Sequence, residues 1–129
     1  MKENLLSVKI NCSIEKLFDF TINPNNTHLW IKWMEKEWIN TEQIEVWSIY
    51  KNNWINSSNI DIYELIKLEV NSLFHLISKD SQYQVIYYYT KIDDNNSILN
   101  YFENMRDWTN LDNPFSNSNI KKLKNILET

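Results

Sequence analysis

The sequence predicts an α+β domain: a curved antiparallel sheet of about seven strands, two short helices after the first strand, and a C-terminal helix. Three observations carry this. Leu6, Val8, Ile10 and Cys12 alternate with Ser7, Lys9 and Asn11, the period-two pattern of a half-buried strand. From residue 37 to residue 107 the signals are all of the β kind, broken by turn-rich pieces. Near the C-terminus the apolar spacing becomes helical again. Strands this close together have to be antiparallel neighbours, because a parallel crossover needs about a dozen or more residues.

Taken in order, the first strand is expected to end at Cys12, where the Ser13 hydroxyl can accept from the free amides of a helix carrying Ile14, Leu17, Phe18 and Thr21 at helical spacing. Asn23-Pro24-Asn25-Asn26 breaks that helix, since proline disfavours helix in the residue before it. A second short helix through His28, Leu29, Trp30 and Trp33 completes a helical corner. Strands are then expected at Glu37–Thr41, Ile44–Tyr50, near Ile60–Leu68, Ser72–Ser78, Tyr83–Lys91 and Ile98–Asp107. After Pro114-Phe115, Ser116 caps a helix over Asn117–Leu127, with Ile120, Leu123, Ile126 and Leu127 on one stripe and Lys121, Lys122 and Asn125 opposite.

The 129 residues suit a single domain spanning residues 1–129, because chains of roughly 100–150 residues bury enough surface for one core and seldom enough for two. A hydrophobic share of 43% is too high for a disordered chain, and no apolar run approaches the ~20 residues of a membrane span. Met1-Lys2-Glu3-Asn4 opens on no signal-peptide pattern, so cytoplasmic residence is the expectation. A net charge of −4 repels a phosphate backbone, which excludes nucleic acid as the expected partner. One cysteine and two histidines at unrelated positions supply neither an internal disulfide nor zinc-ligand spacing, so no metal and no cofactor are expected. The chain has no glycine and no alanine while Asn, Ile, Lys and Tyr abound, the bias of AT-rich codons. Turns normally given to glycine therefore fall to Asn or Asp, with Asn52-Asn53, Asp94-Asn95 and Asn95-Asn96 as the expected sites.

Three motifs in sequence order resemble the SRPBCC superfamily, also called START-like or Bet v 1-like, and within it the bacterial polyketide cyclase/dehydrase-like proteins. The first runs Ile10-Asn11-Cys12-Ser13-Ile14-Glu15-Lys16-Leu17-Phe18-Asp19-Phe20, then Asn23-Pro24 and Trp30. The second, Val46-Trp47-Ser48-Ile49-Tyr50, is similar to an apolar-Gly-Ser/Thr-x-Tyr strand with tryptophan in the place of glycine. The third is Pro114-Phe115-Ser116 followed by Ile120, Leu123-Lys124 and Ile126-Leu127-Glu128. The resemblance implies a helix-grip fold, in which the sheet wraps the C-terminal helix around a cavity for apolar molecules or lipids. It implies no single reaction, since such proteins include carriers, hormone receptors, polyketide cyclases, chaperone activators and ribosome-associated inhibitors. Trp47 either fills that cavity or bulges from the convex face.

Three readings of function follow. In the leading one, a small apolar molecule or lipid sits between the sheet and helix 117–127, lined by Val8, Ile10, Tyr50, Leu65, Tyr89, Tyr101, Leu123 and Ile126. Tyr87-Tyr88-Tyr89 are consecutive, so at least one faces inward, and aromatic walls with a few hydroxyls suit a flat apolar ligand. The second reading is an enzyme of the cyclase or dehydratase type. Its candidates are Glu64, His75 and Glu103, with Asp61 beside them, because a buried carboxyl of raised pKa can transfer protons. Polar strand residues more often mark the outer face, and His75, between Phe74 and Leu76, is read as outward. The third reading is a protein-binding regulator whose cavity is filled by side chains such as Trp47. Ser13 and Ser48 lack a nucleophile elbow, Cys12 reads as a small buried filler, and His28 as no ligand. Trp30, Trp33 and Trp38 either gate the cavity, form an exposed patch or anchor the corner. An uncovered edge strand leaves monomer and dimer both open.

Overall fold

Alternation in the sequence becomes alternation in burial. In β1 (Glu3–Ile10) Leu6, Val8 and Ile10 turn toward the core while Ser7 and Lys9 face out, and the computed structural model describes this and every other part of residues 1–129. The chain then forms α1 (Ile14–Ile22), a 3₁₀ turn at Pro24–Asn26 and the single turn α2 (Thr27–Trp30). Six strands follow as a meander: β2 (Met34–Ile39), β3 (Ile49–Trp54), β4 (Ile60–Glu69), β5 (Leu73–Ser78), β6 (Tyr83–Asp93) and β7 (Asn96–Met105). Helix α3 (Asn117–Leu127) ends the chain. The strand order β1-β7-β6-β5-β4-β3-β2 is antiparallel throughout, with β1 beside the last strand and β1 and β2 at the edges. This is the expected helix-grip arrangement of a curled sheet closed by helices.

Local chemistry sets the helix ends. Ser13 Oγ accepts from the Lys16 amide at 3.2 Å, and Ser116 Oγ accepts from that of Ser118 at 3.2 Å, satisfying donors that a helix start leaves free. Asn23 accepts from the Asn25 amide and so turns the chain into the Pro24 segment. On α3, Asn119, Ile120, Leu123 and Leu127 are buried, while Lys121, Lys122 and Asn125 are exposed. The helix lies along β1 and meets α2, where Asn119 Oδ1 accepts from the Lys32 amide at 3.0 Å. Ile10, Leu17, Tyr50, Leu65, Leu99, Ile120 and Leu123 are sealed in one core of 21 residues, and full burial of such a side chain is worth about 1.5–3 kcal/mol.

Some expected boundaries shift. Residues 44–48 form a loop rather than the start of a strand, and β3 instead runs on through Asn52-Asn53, the pair expected to turn. Pairing outweighs the preference of asparagine for turns here, because β2 and β4 bond to β3 on both sides. The positive-φ positions are Asn56 and Asn71, as the lack of glycine suggests, together with Trp33, Trp47 and Trp108. Trp47, at φ 79° and 68% exposed, projects outward and does not fill the interior. Asp94-Asn95 turns the β6–β7 hairpin, and Asn96 already belongs to β7. No helix is long and apolar enough to cross a membrane.

Candidate functional site

The inward residues of β3 are Tyr50, Asn52 and Trp54, two apart as the pleat demands. Tyr50 is pinned in the core, its hydroxyl donating to the Ile22 carbonyl at 2.8 Å. Asn52 and Trp54, farther along the strand, line a cavity of about 790 Å³. That volume lies within the ~300–1,000 Å³ typical of small-molecule sites. Its wall combines the inner face of the sheet, the segment after α2 (Ile31, Trp33, Met34) and the loop before α3 (Leu111–Phe115), and 14 of its 25 residues are hydrophobic. Trp33, Asp80, Ser81, Asp112 and Asn113 are the exposed members and mark the opening.

Aromatic rings form most of the floor. Tyr87 packs edge-on to Phe74 at 5.3 Å between centroids, and Tyr101 stacks on Phe115 at 4.2 Å. Behind them Trp30 meets both Tyr87 and Phe115 edge-on, which makes it the anchor of the helical corner. The polar groups fall into two sets. Glu103, 2% exposed, accepts from Tyr83 Oη at 2.7 Å, Asn4 Nδ2 at 2.8 Å and the Phe115 amide at 2.5 Å. It therefore ties β7 to β6, β1 and the loop before α3. Across the sheet order, Glu37, Asn52 and Asp61 are successive register partners on β2, β3 and β4. Asp61 accepts from Trp54 Nε1 at 2.7 Å. Glu37, 9% exposed, receives one hydrogen bond, from Thr27 Oγ1 at 2.6 Å, and burial pushes its carboxyl up to about 7. Asn52 Oδ1 is buried with no hydrogen-bond partner.

Of the eight residues expected to line a site, Tyr101 is in the cavity wall. Ile10, Leu65 and Leu123 are instead sealed in the packed core, and Val8 and Ile126 pack against that core. Tyr89 is also in the core, its hydroxyl 2.6 Å from Thr21 Oγ1 on α1. No residue of α3 lines the cavity, which lies beside the helix rather than beneath it. The reason is side-chain size: Leu123, Ile120, Tyr50 and Tyr89 already fill the space between α3, α1 and the sheet. Among the candidates for catalysis, Glu103 is inward and Asp61 lines the cavity. Glu64 and His75 are on the outer face, where Glu64 pairs with Lys79 at 2.8 Å and His75 Nε2 lies 2.8 Å from Gln84 Oε1. Burial, followed by the Gln84 contact acting the other way, leaves the His75 imidazole below its usual range. Cys12 is buried with its Sγ 4.0 Å from Ser97 Oγ, and desolvation raises its thiol pKa. No cluster of His, Cys, Asp and Glu is close enough to hold a metal ion.

Sequence reasoning missed Glu37 and Asn52. One signal was present: if Tyr50 faces inward, period two turns Asn52 and Trp54 inward as well. Reading Asn52-Asn53 as a turn hid it.

No protein-family model matches the chain, and no curated protein matches it. Solved structures do. XoxI of Bacillus cereus aligns with a TM-score of 0.76 at 12% identity, over 98% of this chain and 96% of that one. Norcoclaurine synthase of Thalictrum flavum, solved with a transition-state analogue, aligns with a TM-score of 0.66 at 10% identity, over 98% and 93%. A polyketide-cyclase-like protein of Corynebacterium glutamicum aligns with a TM-score of 0.58 at 18% identity, over 80% of this chain and 64% of that one. At such identities the likeness concerns the fold, which is the Bet v 1-like and polyketide-cyclase-like fold that the sequence motifs resemble.

Proposed function

We propose that this protein binds a small, mostly apolar molecule in the cavity between the sheet and the segments flanking its short helices. The observation that supports the reading best is the cavity itself: about 790 Å³ beside an otherwise close-packed core, with a mouth ringed by exposed residues. The cavity is open to water, so its apolar lining is hydrated, and an apolar occupant gains by removing that surface from water. Hydrophobic residues make up 14 of its 25 lining residues, a surface that suits a mostly apolar body.

The test is native mass spectrometry of freshly purified protein against the denatured mass. A releasable adduct is expected, together with thermal stabilisation by members of a lipid and aromatic-compound panel. Leu76→Trp, which places a large ring in the wall, should abolish both. A clean apo mass with no stabilisation by any member overturns the proposal.

A catalytic reading has one observation in its favour. Glu37 is a cavity carboxyl raised to about 7 by burial, close to where a general acid or base works best at neutral pH. In that reading Glu37→Gln abolishes turnover of a bound substrate without loss of binding sites for the apolar body.

A further inference from the structure

The two edges of the sheet are finished differently. At β2 the register slips between Met34 and Lys36, and the 3₁₀ turn and α2 pack against the strand, both common guards of a free edge. β1 pairs with β7 without a break from Glu3 to Ile10 and contains neither a bulge nor a proline. Backbone groups of successive strand residues point to alternate sides, and two contacts show which residues of β1 point away from β7. The Met1 carbonyl accepts from the Leu111 amide at 2.8 Å, and the Lys9 carbonyl accepts from Lys124 Nζ at 3.0 Å. Between those contacts Glu3, Leu5 and Ser7 turn the same way, their side chains are exposed, and no hydrogen bond from outside the ladder reaches their N–H or C=O groups. An uncovered row of this kind is a template for another strand. Leu5, 63% exposed, adds an apolar side chain with nothing over it.

We propose that the chain pairs with a second copy of itself through β1, antiparallel and about a two-fold axis at Leu6, so that one sheet runs through both copies. The open stretch chooses the register. Residues 3–9 overlap fully with their own reversed copy only when Leu6 meets Leu6. Leu5 and Ser7 of the other copy then exchange both backbone bonds, as do their two-fold mates, and the Lys9 N–H donates to the Glu3 carbonyl at each end. The same register sets Glu3 opposite Lys9 of the other copy at both ends of the outer face, a charge match that full overlap does not by itself require. Moving the axis to Leu5 or to Ser7 sets Glu3 against Ser7 or Asn11 and loses that match. On the inner face Leu6, half-buried against the core, meets its mate as a non-hydrogen-bonded pair, the closer kind. On the outer face the two Leu5 side chains become diagonal neighbours, which covers an otherwise exposed apolar group. The contact uses the same strand on both copies and leaves β2 guarded, so the assembly closes at a dimer.

The experiment is sedimentation equilibrium of the full chain over a concentration series at low ionic strength, where exposed charge pairs are least screened. The native chain is expected to reach a dimer. Glu3→Lys and Lys9→Glu each set like charges together at both ends of the pair, and each should weaken the dimer about tenfold or more. Both changes in one chain restore opposite charges and should restore the native dimerisation constant. Mixing the two single variants should give a dimer with one copy of each, because every position 3 then faces an opposite charge at position 9; a folding defect in either variant cannot produce that result. Leu6→Cys should crosslink across the axis on mild oxidation, whereas the native chain, whose one cysteine is the buried Cys12, should not. A native chain that stays monomeric throughout the series overturns the proposal, as does a dimer that both single reversals leave unchanged. A dimer that the reversals weaken and that neither the combined chain nor the mixture restores lies elsewhere on the surface, and overturns it as well.

Discussion

Two buried carboxylates face one cavity, and they are built in opposite ways. Glu103, on β7, is surrounded by donors from three other parts of the chain. Glu37, on the edge strand β2, has one donor, Thr27, and stands opposite an asparagine with an unpartnered oxygen. The difference teaches how burial by itself says little about role. A carboxylate whose lone pairs are used up fastens a fold, and one whose lone pairs are left over is available to something else.

The largest effect should come from breaking the first of these. Glu103→Ala strands the Tyr83 hydroxyl, the Asn4 amide and the Phe115 N–H, and is expected to lower stability by about 3–5 kcal/mol in urea unfolding. A loss below about 1 kcal/mol would dissolve the contrast, since such a network cannot then be what holds β1, β6 and the loop before α3 together.

Glu37 should respond with the opposite sign. Its carboxyl titrates near 7 in the folded chain against 4.5 for an unperturbed glutamate. Between those values the folded state binds more protons than the unfolded state, so stability falls as pH rises through that window. The displacement corresponds to roughly 3 kcal/mol. Tyr50, Tyr63 and Tyr87, which face Glu37 from β3, β4 and β6, are pushed above their usual range by burial and stay neutral there. Asp61, Asp80, Glu103 and Asp112 are the other charged residues on the same cavity. Glu37→Gln should therefore flatten the decline and match the wild type near pH 4, while exceeding it by up to about 3 kcal/mol at pH 8, as read by thermal unfolding across pH. A wild-type stability that does not fall between pH 5 and 7.5 would place Glu37 among fastened carboxylates like Glu103.

Asn52→Leu removes a buried acceptor without a partner and should stabilise the chain by about 1 kcal/mol, seen as a rise in urea midpoint at constant slope. Destabilisation would mean that the amide is bonded in solution. The smallest change is expected on the outer face. Glu64→Gln breaks the pair with the half-exposed Lys79, worth at most about 1 kcal/mol, and should leave every ligand measurement unmoved.

Legibility from the chain followed the range of the interaction. The helix starts at Ser13 and Ser116 were readable because a cap is a contact over two or three residues. The inward face of β1 is readable from alternation, whereas on β7 the same reasoning leaves Glu103 between an inward catalytic role and the outer face that polar strand residues usually mark. Tyr50 and Tyr89 are expected from the sequence to line a cavity, but both are buried in the core with their hydroxyls bonded to Ile22 and Thr21 of α1. No local pattern says that α1 would reach them. Asn52 shows the same limit from the other direction: its neighbours suggest a turn, and only the pairing of β3 with β2 and β4 makes it a strand residue facing Glu37.

What the sequence determined by itself was an α+β chain of alternating strands between capped helices, because periodicity, caps and breakers act within one turn or one pleat. The tertiary structure alone decided where the space lies and which polar groups around it stay hungry for a donor. Those depend on which side chains from distant strands fill each volume first, and on donors such as Asn4 and Phe115 arriving at Glu103 from opposite ends of the chain while none arrives at Asn52.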